Sequence, residues 1–198
     1  MATAYERPLP AQKPGTANRP TPVGTGIWLG LAAITMTFAA ITSAMLVRQS
    51  SAGDWQHFRF PSVLYLDTTI LIASCLTLWL SRRGFDAVRH GKQRVSPSSM
   101  LIATLALGLL FIGGEYRAWM ELRAEGVHLA TSPSSSFFYL FTGLHTLHVI
   151  AGLAALTVAI WRARHRSLRI STFDSVLRYW NCMTVLWLCL LVLLRSRI

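Results

Sequence analysis

The sequence predicts an all-α integral membrane bundle of five transmembrane helices, with the N-terminus cytoplasmic and the C-terminus outside. Three observations carry this expectation. The chain of 198 residues is 53% hydrophobic and only 14% charged, with mean hydropathy +0.43, whereas soluble domains carry about a quarter charged residues. Five apolar stretches each reach or approach the ~20 residues that a helix needs to cross ~30 Å of hydrocarbon. The basic residues alternate in density from one connection to the next.

The expected spans cover about 27–47, 62–81, 98–118, 137–161 and 176–195. The first (IWLGLAAITMTFAAITSAMLV) is lined with small residues such as Gly30, Ala32, Thr35 and Ala39, which permit close helix approach. The shorter alternating segments of a membrane barrel are absent. Residues 1–26 (MATAYERPLPAQKPGTANRPTPVGTG) are rich in Pro, Gly, Thr and Ala, which predicts a disordered tail ahead of a membrane domain over 27–198. That tail has no apolar region before a small-residue cleavage site, so it does not read as a signal peptide, and the first span is the expected insertion signal.

Thirteen of the nineteen Lys and Arg fall in the tail, the second loop and the fourth loop with the start of the last span. The positive-inside rule then places the N-terminus in the cytoplasm. Topology and anionic lipid therefore account for the net charge of +11, and nucleic acid is not an expected partner. Arg82, Arg83 and Arg162, with Trp79, Trp161 and Trp180 at similar depth, are candidate phospholipid contacts, although topogenic charge explains them equally well.

Ionisable groups inside membranes are costly and default to functional hypotheses. Asp67 lies about two turns into the second span. It reads as a proton-relay carboxylate, an interfacial residue or a hydrogen-bond partner of a neighbouring helix. Glu115 is followed by Tyr116, Arg117 and Trp119, an interfacial mixture in which a solvated or ion-paired Glu is expected. Arg178 and Asn181 begin the last span. Cys75, Cys182 and Cys189 all fall inside spans, where small apolar packing is the expected role.

His145 and His148 stand at i and i+3 in FFYLFTGLHTLHVIAGLAALTVAIW, on one face about a turn apart. The run HTLH lacks the spacing and the acid of a catalytic zinc helix. Two residues one turn apart cannot take opposite axial positions of one haem iron, and His57, His90, His128 and His165 fall in loops or at helix ends. Hydrogen bonds to neighbouring helices or to another subunit are the expected role. No catalytic, cofactor-binding or metal residues are assigned in this chain.

This stretch resembles the fourth helix of the short, five-helix form of haem–copper oxidase (cytochrome c oxidase) subunit III. The pattern F-Y-x-x-T-G-x-H-x-x-H-V-x-x-G is matched by Phe138, Tyr139, Thr142, Gly143, His145, His148, Val149 and Gly152. The run PSVLYLDTTILIASCLT resembles the family's second helix through Pro61, Thr68, Ser74 and Thr77. The last helix resembles the family's through Tyr179, Trp180 and Trp187. The chain is a divergent member by this resemblance. Ala33 and Ile34 stand where a Ser-Glu pair is usual, Asp67 replaces Asn, Glu115 takes a Gln position, Ala118 a Glu position, Asn181 replaces His and Thr184 replaces Asp.

The resemblance implies an accessory, non-catalytic subunit in a bacterial plasma (inner) membrane. It would pack against subunit I, and indirectly subunit II, and stabilise subunit I. It would bind phospholipid between its helices and support proton uptake during oxygen reduction. Haem and copper would belong to the partner subunits. The electron donor, cytochrome c or quinol, stays open. So do a subunit III-like protein associated with nitric oxide reductase and a membrane b-type cytochrome using His145 and His148. A small transporter is disfavoured by the lack of internal repeats.

Overall fold

The computed structural model describes residues 22–51, 53–58, 60–89, 97–165 and 170–197, with the side chains of 22–24, 86–89 and 97 left out. Within these residues the chain is all-helical. The five helices are α1 (Pro22–Ser51), α2 (Val63–Arg89), α3 (Pro97–Ala124), α4 (Pro133–Arg164) and α5 (Ile170–Arg197), and each is long and apolar enough to cross a membrane.

Every helix outruns its apolar stretch at one end or both. The expectation from hydropathy measured only the part immersed in hydrocarbon. The helix itself continues until its backbone finds another way to satisfy its last N–H and C=O groups. At α4 that point is a capping box. The Ser132 hydroxyl accepts from the Ser135 amide, the Ser135 hydroxyl accepts from the Ser132 amide, and Pro133 follows at the first helical position. At α3 it is a Schellman turn. Gly126, at φ 81°, lets Val127 N–H reach Leu122 C=O at 2.9 Å and its own N–H reach Arg123 C=O at 3.1 Å. α4 alone spans 32 residues, about 48 Å at 1.5 Å per residue, which is longer than the ~30 Å of hydrocarbon it has to cross. Of the tail expected over 1–26, residues 22–26 belong to α1 and the rest lie outside the described residues.

α2, α3, α4 and α5 form a ring: α2 packs on α3, α3 on α4, α4 on α5, and α5 back on α2. α1 lies outside it, against α4 and α5. Among the largest fully buried side chains, Trp187 and Phe111 meet within the ring, Phe138 packs on Phe58 and Phe60, and Phe141 stacks on Phe38 of α1. Without a hydrophobic drive between helices in lipid, close packing and cross-helix hydrogen bonds hold such a ring. Small residues permit the approach. A Cβ at Gly108 of α3 would lie 2.6 Å from Leu153 of α4 and 2.9 Å from Trp180 of α5, so three helices meet over that glycine.

The two ends of the bundle differ. At one, Trp55 donates to the Arg197 carbonyl at 2.8 Å, Arg195 donates to the Tyr65 hydroxyl at 3.1 Å, and Ser134 donates to the Gln56 carbonyl at 2.5 Å. At the other, Arg82 pairs with Asp174 at 2.7 Å and Phe85 meets Phe173.

Candidate functional site

Some of the buried polar residues gather around Trp187 within the ring. α5 supplies Trp187, whose indole Nε1 donates to the Thr68 hydroxyl of α2 at 3.1 Å. α4 supplies His145, whose ring stacks on Trp187 at 4.9 Å. α3 supplies Phe111, edge-on to both, at 5.2 Å from Trp187 and 5.8 Å from His145. Asp67 precedes Thr68, and Glu115 stands one turn beyond Phe111. Asp67, Glu115 and His145 have no exposed surface, and none of their polar side-chain atoms has a hydrogen-bond partner among the described residues.

Glu115 is therefore neither solvated nor ion-paired, contrary to the expectation from its neighbours. Tyr116 and Arg117 are exposed, but the 100° step per residue turns Glu115 inward, on the same side of α3 as Phe111. Asp67 is buried where α2 packs on Gly114 of α3, and it lines the groove between the two helices. Within the described residues neither imidazole hydrogen-bonds to another helix of this chain. His145 is held by aromatic faces. His148 turns Nδ1 to its own helix, 2.7 Å from the Leu144 carbonyl, which makes that nitrogen the donor, and its ring lies 5.8 Å from Phe38 of α1.

The remaining residues of the α4 pattern each hold a neighbour. Phe138 is edge-on to Phe58 and Phe60. The Tyr139 hydroxyl donates to the Val127 carbonyl at 2.9 Å. Thr142 accepts from the Trp119 indole of α3 at 3.0 Å, and Gly143 leaves room beside that indole. Val149 is buried. At Gly152 a Cβ would come 3.0 Å from the Tyr179 ring and 3.2 Å from that of Trp180. The pattern is thus a set of contacts from α4 to α1, α3 and α5.

The family model for cytochrome c oxidase subunit III matches residues 32–196. The chain belongs to that family. A probable cytochrome c oxidase subunit 3 of Nocardia farcinica is 29% identical, over 95% of both chains. A cytochrome bo(3) ubiquinol oxidase subunit 3 of Pseudomonas aeruginosa is 30% identical, over 83% of this chain and 79% of its own. A cytochrome c oxidase subunit 3 of Synechocystis is 29% identical, over 85% of this chain and 72% of its own. This subunit III chain is accordingly a multi-pass membrane protein and a member of an oxidase complex.

Of the candidate lipid contacts in the subunit III chain, Arg83 lies over the exposed Trp79 ring at 3.7 Å. Arg162 is exposed beside the exposed Trp161. Arg82 pairs with Asp174 of α5. Trp180 is not at the lipid surface. It is 2% exposed and donates to the Ser74 hydroxyl of α2 at 2.9 Å. This bond and the Trp187–Thr68 bond tie α5 to α2, a role not read from the sequence. Its signal was present: two tryptophans of the last-helix pattern and two hydroxyls of the second-helix pattern, each six or seven residues apart. Cys75 Sγ lies 3.0 Å from the Thr184 hydroxyl, and Cys182 and Cys189 face the apolar groove between α1 and α5.

Proposed function

We propose that this chain is the accessory subunit III of a bacterial respiratory haem–copper oxidase, holding neither haem nor copper and packing against subunit I. The observation that carries the reading is the use made of the α4 pattern. Its two histidines are committed to packing, His145 to Trp187 and His148 to its own backbone. Its aromatic, hydroxyl and glycine positions each serve a helix contact. A chain so built is a scaffold, and its contribution to oxygen reduction is to stabilise subunit I and sustain its proton uptake. The N-terminus is cytoplasmic, which puts the Arg82–Asp174 end of the bundle on the cytoplasmic side of the plasma membrane.

α1 fits the role of partner-facing helix. Among the helices described it touches only α4 and α5, and Trp28, Leu29, Met36 and Val47 are all more than half exposed. Bound phospholipid belongs to the same reading. Arg83 with Trp79 and Arg162 with Trp161 present cation and indole together at one end of the bundle, where anionic headgroups lie.

The test is mild-detergent purification of the tagged chain from its native membrane, with copurifying proteins identified and an optical spectrum taken. Haem and copper arriving with a large subunit I, and lost when the chain is stripped free, support the reading. Haem that stays with the isolated chain and disappears in His145→Ala overturns it. An Arg83→Ala/Arg162→Ala variant that keeps its full complement of anionic lipid overturns the lipid assignment alone.

A further inference from the structure

Asp67 of α2 lies against Gly114 of α3, the residue before Glu115. A Cβ at Gly114 would overlap the Asp67 carboxyl, so that carboxyl lies flat against the backbone beside Glu115. Neither carboxyl has exposed surface, and all four oxygens lack a hydrogen-bond partner among the described residues. The cationic and titratable groups around them are engaged elsewhere or stand apart. On α5, Arg195 donates to Tyr65. On α4, His145 stacks on Trp187. On α3, Arg117 lines the same groove as Asp67 but makes no hydrogen bond to either carboxyl.

An ionised carboxylate without a cation or donors costs far more in a hydrocarbon interior than taking up a proton. Two adjacent carboxyls cannot both ionise there. Asp67 also faces a groove of about 560 Å³ between α2 and α3, lined further by Ser62, Leu66, Leu110 and Gly113. Ser62 is shared with a hollow of about 120 Å³ that holds Glu121 and Glu125 at the loop end of the bundle. Ser62 thus stands between the carboxylates of that hollow, Glu121 and Glu125, and the groove that Asp67 lines.

We propose that Asp67 and Glu115 form a proton-binding pair, loaded through the α2–α3 groove from the end that carries Ser62, Glu121 and Glu125. Loading moves one proton from a water-borne acid to a carboxylate oxygen, and unloading returns it, so only O–H bonds change. The assignment rests on the bundle itself and not on the oxidase reading.

The test is infrared spectroscopy of the purified full chain near neutral pH, in water and in deuterium oxide. The expected result is a carbonyl band of protonated carboxyl that shifts on deuteration. It weakens in Asp67→Asn and in Glu115→Gln, and is lost in the double variant. Gly113 has open space beside it, so Gly113→Leu narrows the groove without a clash and is expected to slow deuteration of the band without removing it. A band unchanged in the double variant overturns the site. Carboxylate bands that shift on adding sodium or calcium make it a cation site and overturn the proton assignment. Deuteration as fast in Gly113→Leu as in the native chain overturns the route. Should Asp67→Asn fail to fold, Glu115→Gln and Gly113→Leu still decide.

Discussion

The Tyr179 hydroxyl of α5 donates to the backbone carbonyl of His148 on α4 at 2.8 Å. The bond exists because Gly152, one turn on, leaves the space that the Tyr179 ring fills. One missing side chain and one phenol thus set how closely α4 and α5 approach, and the histidine of the family pattern takes part through its backbone.

Gly152→Val is therefore expected to push the two helices apart. Overpacking of this kind costs about 1–3 kcal/mol. The measurement is thermal or denaturant unfolding in detergent, with Tyr179→Phe alongside, which loses one hydrogen bond and is expected to cost only about 0.5–1.5 kcal/mol. Equal stability of Gly152→Val and the native chain would show that the contact is slack.

Trp187→Ala removes the largest fully buried side chain, together with the stacking surface of His145 and the donor to Thr68. A loss of about 3–5 kcal/mol is expected. Trp187→Phe keeps most of the volume and should fall well short of that loss in the same unfolding experiment.

Ser132→Ala breaks the capping box of α4. The expected cost is about 0.5–2 kcal/mol, confined to the first turn. Hydrogen exchange should quicken at the amides of residues 134–136 and stay unchanged beyond His145.

The loop after α1 carries a pH-dependent tie. Arg48 donates to both Asp54 oxygens, at 2.9 and 2.6 Å, and this hydrogen bonding holds the Asp54 carboxyl below its ordinary value of 3.8. A lowered carboxylate contributes stability above its unfolded value and loses it as pH falls through its folded one. The tie is thus expected to hold at neutral pH and to open as pH drops below about 3.8, and, being exposed, to weaken in high salt. A carbon-13 NMR titration of Asp54 in the native chain and in Arg48→Ala checks this. The Arg48→Ala midpoint should return to the ordinary value.

The number and kind of elements were determined by the sequence alone. Apolar runs of spanning length can satisfy their backbone in lipid only as helices, and five such runs make five helices wherever their faces point. The α4 pattern was equally legible, because spacing along one helix is local. Which face of each helix meets protein was decided by the tertiary structure. Lipid tails are as apolar as Leu, so a transmembrane helix is apolar all round and its 3.6-residue period does not separate core from lipid. Trp180 therefore resembled a headgroup anchor until its N–H was seen on Ser74. Glu115, beside Tyr116 and Arg117, resembled a surface acid until the turn of α3 buried it next to Gly114, on which the Asp67 carboxyl lies. A helix's composition determines that it crosses the membrane, and the contacts of its neighbours determine what its few polar groups can do there.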